Sequence, residues 1–206
     1  MKKRSGPSAN DELIGGVDDD RLLGGGGDDR LDGGAGSDLL RGGSGRDVLE
    51  GGGGDDRLDG GAGGDLLRGG SGRDVLEGGG GDDRLDGGAG SDLLRGGSGR
   101  DVLEGGGGDD ELHGGGSSDL FVYRSHDGND HIDGGGGIDR LLLDIDDAWV
   151  LTLNSGEVVA EGGGKIELSA GAAGTIELAD GSTIHFENIE RIEGLQRMGA
   201  GCRPQT

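Results

Sequence analysis

The sequence predicts an all-β protein: a parallel, two-sided β-helix wound from nine-residue turns and closed by a short C-terminal β cap. Three observations carry that prediction. Glycine supplies 56 of 206 residues, and only Phe121, Tyr123, Trp149 and Phe186 are aromatic, too few for an ordinary globular core. From Gly15 to Val122 the chain divides without a gap into twelve blocks of nine. Every block has aspartate sixth and a large apolar residue eighth.

The period separates this reading from the other glycine-rich classes. Collagen needs glycine at every third position and abundant proline, and the chain has two prolines. Low hydrophobicity with high net charge is also the mark of disorder, but disorder has no register to keep. A representative block is Gly33-Gly34-Ala35-Gly36-Ser37-Asp38-Leu39-Leu40-Arg41. Sixth positions are Asp20, Asp29, Asp38, Asp47, Asp56, Asp65, Asp74, Asp83, Asp92, Asp101, Asp110 and Asp119. Eighth positions are leucine from Leu22 to Leu112, then Phe121. After an inserted Tyr123-Arg124 come two more blocks, Ser125 to Asp133 with Asp130, and Gly134 to Leu142 with Asp139. A worn block, Gly6 to Ile14, precedes the array and keeps Asp11 and Leu13. Self-similarity at a fixed period is the signature of a solenoid. A longer period lies on top: Gly24 to Glu50 recurs at Gly51 to Glu77 and Gly78 to Glu104, with Ser37 replaced by Gly64 as the one change. This points to recent duplication of a 27-residue unit.

The residue types explain the pattern. Glycine at positions one, two and four permits a tight turn with positive φ and close backbone approach. Such a turn leaves main-chain carbonyls in need of partners. Aspartate at position six adds charged oxygens, so each turn offers half of a site for a hard divalent cation. Positions seven to nine read as a very short strand whose middle side chain points inward. The formal charge of −23, from 19 basic and 42 acidic side chains, fits cation binding and argues against nucleic acid and anionic membranes as partners. No apolar run approaches the ~20 residues of a membrane span. Cys202 is the sole cysteine, which excludes an internal disulfide and a cysteine-rich zinc site. No apolar stretch follows the basic start Met1 to Arg4, so no cleaved secretory signal is expected.

These blocks match the motif G-G-x-G-x-D-x-U-x, and over roughly two thirds of the chain the sequence resembles the repeats-in-toxin (RTX, haemolysin-type) calcium-binding nonapeptide repeats. The resemblance implies a parallel β-roll in which two nonapeptides make one 18-residue coil. It implies a calcium ion between turns n and n+2, held by the position-six aspartates and by carbonyls of the glycine turns such as Gly33, Gly34, Gly36, Gly42, Gly43 and Gly45. Asp20, Asp38, Asp56, Asp74, Asp92 and Asp110 then line one edge, and Asp29, Asp47, Asp65, Asp83, Asp101 and Asp119 the other. Twelve turns give ten stacked pairs and about ten calcium ions, with Asp130 and Asp139 as further ligands. Asp18 and Ser117 replace the fourth glycine in their blocks, and the insertion leaves the stacking partner of Asp130 open. Ninth residues fall into charge ladders, Arg41-Asp59-Glu77-Arg95 on one edge and Asp32-Glu50-Arg68-Asp86-Glu104 on the other.

The expected organisation is a leader with one degenerate repeat (1–14), a calcium-binding β-roll (15–142), a β cap (143–194) and a disordered tail (195–206). The cap is read from apolar clusters at Trp149 to Leu153, Lys165 to Leu168, Thr175 to Leu178 and Thr183 to Phe186. The run from Ile184 to Ile192 resembles the segment that often closes such rolls. Relatives commonly leave the cell by type I secretion with an uncleaved C-terminal signal, but the tail here lacks the expected apolar terminus. Cys202 stands where a hedgehog/intein-type domain begins in some relatives, and nothing of that domain follows.

No catalytic constellation is expected. His113, His126, His131 and His185 read as scattered, solvated histidines. The function expected is calcium binding and calcium-dependent folding of an extracellular structural module. The alternatives are a non-catalytic accessory part of a secreted enzyme, as in serralysin-like proteases or mannuronan epimerases, and an adhesin or surface-layer fragment. The H-E-x-x-H zinc motif of the protease class is absent.

Overall fold

The structure, a computed structural model, describes residues 3–124, 127–144, 149–156, 158–162 and 165–194. The tail 195–206 with Cys202, and His126, lie outside the described residues. No described residue is helical. The first strands in chain order are β1 (Lys3–Ser5), β2 (Glu12–Gly16), β3 (Arg21–Gly26), β4 (Arg30–Ala35), β5 (Leu39–Ser44), β6 (Val48–Gly53), β7 (Arg57–Ala62) and β8 (Leu66–Ser71). The array continues with β9 (Val75–Gly80), β10 (Arg84–Ala89), β11 (Leu93–Ser98), β12 (Val102–Gly107), β13 (Glu111–Gly116), β14 (Leu120–Arg124), β15 (Asp130–Gly136) and β16 (Arg140–Asp144). The cap comprises β17 (Trp149–Ser155), β18 (Val158–Gly162), β19 (Lys165–Leu168), β20 (Ala173–Leu178), β21 (Thr183–Glu187) and β22 (Arg191–Gly194).

Odd and even strands of the array part into two parallel sheets, each of eleven strands among the described residues once the cap joins. Successive blocks therefore alternate between sheets, and two blocks make one coil. The register steps by 18 residues, as in Leu40↔Leu58 and Leu67↔Leu85. Across the Tyr123-Arg124 insertion it steps by 20, as in Leu112↔Ile132 and Phe121↔Leu141. The inserted Tyr123 is buried and its hydroxyl donates to the Gly128 carbonyl at 2.8 Å, so the extra residues are absorbed without losing the stack.

Side-chain alternation fixes which face is inside. Every position-eight residue from Leu22 to Leu141 is buried, and these side chains form one core between the sheets. Leu66, at position seven, is half-buried while Leu67 is fully enclosed. The strands are longer than positions seven to nine. In β5 pairing runs on through Gly43 and Ser44, opposite Gly25 and Gly26. The position-one glycine stays in ordinary extended backbone, so the ladder passes through it into the turn.

The 27-residue unit spans one and a half coils. The identical strands β5, β8 and β11, each Leu-Leu-Arg-Gly-Gly-Ser, consequently fall on the first, second and first sheet in turn.

The cap extends the roll before it turns away. β21 pairs parallel with β15 and β22 with β16, adding one more coil. Beyond them β20 and β17 on one sheet, and β19 and β18 on the other, run antiparallel. Ile184, Phe186, Ile189 and Ile192 continue the core upward and are buried.

Candidate metal centre

All fourteen sequence-predicted aspartates, from Asp20 to Asp139, are buried with at most 4% of their surface exposed. Burial of so many carboxylates needs partners for their oxygens. One oxygen has a partner in the chain. Asp38 Oδ1 accepts the main-chain N–H of Asp20 at 2.6 Å, and Asp65 Oδ1 that of Asp47 at 2.8 Å. The same bond links each aspartate to the one a coil earlier, along Asp20-Asp38-Asp56-Asp74-Asp92-Asp110-Asp130 and along Asp11-Asp29-Asp47-Asp65-Asp83-Asp101-Asp119-Asp139. The stacking partner of Asp130, left open by the sequence, is Asp110.

The other oxygen has none. Oδ2 is buried and without a hydrogen bond in Asp11, in every position-six aspartate from Asp20 to Asp119, and in Asp139. It faces the position-one glycine of its own turn and, from Asp11 to Asp119 with the exception of Asp110, the position-one carbonyl of the next coil. A Cβ placed on Gly33 would lie 2.3 Å from Asp38 Oδ2 and 2.7 Å from the Gly51 carbonyl oxygen. A Cβ on Gly69 would lie 2.4 Å from Asp74 Oδ2 and 2.5 Å from the Gly87 oxygen. This corrects one expectation about the turn. Positive φ belongs to positions two and four, as at Gly34 (102°) and Gly36 (111°), and not to position one. Position one is glycine because a methyl group would fill the space between two oxygens. Where Ser117 replaces the fourth glycine it takes the same left-handed backbone, φ 86°.

Electrostatics mark the same groups. Burial, above the opposing effect of the donated N–H, pushes Asp56, Asp83, Asp92 and Asp119 up to about 7 and Asp47 and Asp139 up to about 6. Asp130 is driven to about 8 by burial and then by the charge of Asp110. Such carboxylates resist ionisation unless a cation faces them. A row of buried, unpartnered anionic oxygens beside main-chain carbonyls suits a hard divalent cation, which takes carboxylate and carbonyl oxygens together. Among the described residues no three His, Cys, Asp or Glu side chains gather as a metal-holding group. A centre here would rest on carboxylates of the ladder with main-chain oxygens, not on a carboxylate cluster.

Position five behaves differently. Asp82 is exposed, yet its Oδ1 accepts the Arg100 N–H at 2.9 Å and its Oδ2 the Arg100 guanidinium at 2.7 Å. Asp19, Asp28, Asp55 and Asp109 likewise accept the N–H one coil ahead. This second ladder, running opposite to the first, was not anticipated from the sequence. The ninth-position ladders are in register, with Arg41 Nε 3.5 Å from Asp59. Diagonal pairs were missed: Arg30–Glu50, Arg57–Glu77 and Arg84–Glu104 at 3.4–3.5 Å. Histidines are less scattered than expected. His131 and His185 stand opposite each other on β15 and β21, and His113 on β13 lies 2.8 Å from Glu111 and 3.8 Å from Asp133.

Fold and edges together define a parallel β-solenoid of nonapeptide turns with a carboxylate ladder down each side. The chain belongs to the RTX calcium-binding nonapeptide repeat family, whose profile it matches over residues 6–40, 32–67, 59–94, 87–121 and 125–141. Among solved structures it is similar to the extracellular lipase LipA from Serratia marcescens, at 18% identity and a TM-score of 0.23, covering 90% of this chain. The chain spans 37% of the lipase's length. No curated protein matches it.

Proposed function

We propose that the chain is an extracellular structural module that folds when its two aspartate ladders take up calcium. The observation that carries this reading is the row of buried Oδ2 atoms without a hydrogen bond, in which all but that of Asp110 stand with a carbonyl of the next coil about the position-one glycine. A calcium ion supplies the positive charge and the wide oxygen coordination that such a row lacks. The chain's own residues do the rest. Position-one glycines keep the space open, and Oδ1 bonds hold each carboxylate in place across the coils. The position-eight side chains bring the two sheets together. The ligands proposed are the fourteen position-six aspartates with the glycine-turn carbonyls. Thirteen stacked carboxylate pairs among the described residues exceed the ten counted from the gap-free blocks. Repeats of this family occur in secreted proteins, and outside the cell calcium is abundant enough to drive folding by mass action. The role is structural rather than catalytic.

Far-ultraviolet circular dichroism in chelator and during calcium addition tests this. A disordered spectrum that converts cooperatively to β with calcium is expected. Magnesium should substitute poorly, because it demands a tighter octahedron and gives up water reluctantly. Equal β content with and without calcium would overturn the proposal.

A further inference from the structure

The closing segment repeats the geometry of the array without repeating its sequence. The pairing Arg140↔Arg191 and Leu141↔Ile192 sets Glu190 over Asp139. Glu190 Oε2 accepts the Asp139 N–H at 2.8 Å, as Asp139 Oδ1 accepts the Asp119 N–H at 2.8 Å. The Asp139 carbonyl accepts from Arg191 N at 3.0 Å, as the Asp119 carbonyl accepts from Arg140 N at 2.9 Å. Asn188, in left-handed backbone at φ 55°, brings its carbonyl to where a position-one glycine carbonyl would stand. A Cβ on Gly134 would lie 2.0 Å from the Asn188 oxygen and 2.8 Å from Asp139 Oδ2. On Gly114 it would lie 2.7 Å from the Gly134 oxygen and 2.4 Å from Asp119 Oδ2. Asn188 is two residues before Glu190, whereas Gly134 is five before Asp139. The turn is shorter, and glutamate's extra methylene spans the difference.

The two oxygens of Glu190 are both engaged, Oε1 by the Gly171 N–H at 3.3 Å. Asp139 is fully buried and its Oδ2 has no hydrogen bond. On the opposite edge Ile184 stands over Asp130, so the ladder there ends in an apolar side chain.

We propose that a last site for a hard divalent cation lies at the junction of array and cap, formed by Asp139 Oδ2 and the Asn188 carbonyl, with Glu190 as the positioning residue that closes the ladder above it. This rests on the calcium reading given above and extends it. The cap becomes a ligand-bearing part of the array, and its docking becomes linked to calcium.

Trp149, the sole tryptophan, pairs with Leu178 in the cap and packs against the core, so its fluorescence reports cap docking. Calcium is titrated into the full chain while Trp149 emission and far-ultraviolet circular dichroism are followed together, and bound calcium is counted by native mass spectrometry. In Asp139→Asn the Trp149 midpoint should move to several-fold higher calcium and the ion count should fall by one, with the β transition of the array retained. Gly134→Ala, whose Cβ fills the same space, should do likewise. Unchanged midpoints and ion count in both Asp139→Asn and Gly134→Ala would overturn the junction site. A native chain that responds to calcium in neither signal would instead overturn the reading on which it rests.

Discussion

The main-chain N–H of Asp47 donates to Asp65 Oδ1 at 2.8 Å, across one coil of the roll. One oxygen of each ladder carboxylate is therefore a structural bond, and the other is the open one. The two can be separated by experiment. Asp65→Asn keeps an oxygen able to accept the Asp47 N–H but removes the charge at Oδ2. It should raise the calcium midpoint several-fold in a circular dichroism titration. Asp82→Ala, at exposed position five, should move it far less, although it loses the two bonds to Arg100. Equal shifts would mean that bulk charge, and not coordination, governs folding.

Glycine at position one makes a spatial prediction. Gly69→Ala puts a Cβ 2.4 Å from Asp74 Oδ2 and 2.5 Å from the Gly87 oxygen. Gly53→Ala, at position three, meets only the Ser71 hydroxyl at 3.4 Å. The first should lower the number of ions bound and raise the calcium midpoint, and the second should do neither. Native mass spectrometry of the two variants decides.

Leu67 and Leu66 test the strand phase. Leu67→Ala opens a cavity in the enclosed core, a change that typically costs ~2–5 kcal/mol. Leu66 is on the outer face, where truncation usually stays within about 0.5 kcal/mol, with somewhat more here because the side chain is half-buried. The calcium needed for folding should rise clearly for Leu67→Ala and little for Leu66→Ala. The reverse order would place the sheet one residue out of register.

The calcium-free chain should respond to pH. Burial raises the folded-state values of Asp56, Asp83, Asp92 and Asp119 from 3.8 to about 7. Between those limits the folded roll holds more protons than the unfolded chain, so its stability falls as pH rises. The contribution is complete below about 4 and is lost as pH passes through about 7. In chelator, β signal should increase on acidification from pH 8 toward pH 4, and with calcium present the midpoint should rise as pH falls, since protons compete for the same oxygens. A chelated chain whose spectrum ignores pH would contradict this.

Much of this was legible because the period is strict. Asp at six and Leu at eight gave the edges and the core, and all fourteen aspartates are buried where the period put them. What escaped depends on neighbours a coil away. The spatial need for Gly33 appears only when Gly51 is stacked above it. The diagonal from Arg57 to Glu77 links position seven to position nine of the next coil. His131 and His185, 54 residues apart in sequence, meet because β21 joins the sheet directly after β15 while β17 and β20 lie farther out. Local pattern carries no signal for that order.

The identical strands β5, β8 and β11 alternate between sheets because a 27-residue unit covers one and a half coils. Each gain or loss of such a unit rotates everything downstream by half a turn about the roll axis and lengthens or shortens the rod by one and a half strand spacings. Both sheets present leucine inward and glycine at the turn, so either can receive any block. The cap travels with the two blocks that seat it. Slippage of the gene in steps of 27 codons can thus reset the reach of the molecule without breaking a contact type, and its length is a heritable variable decoupled from its fold.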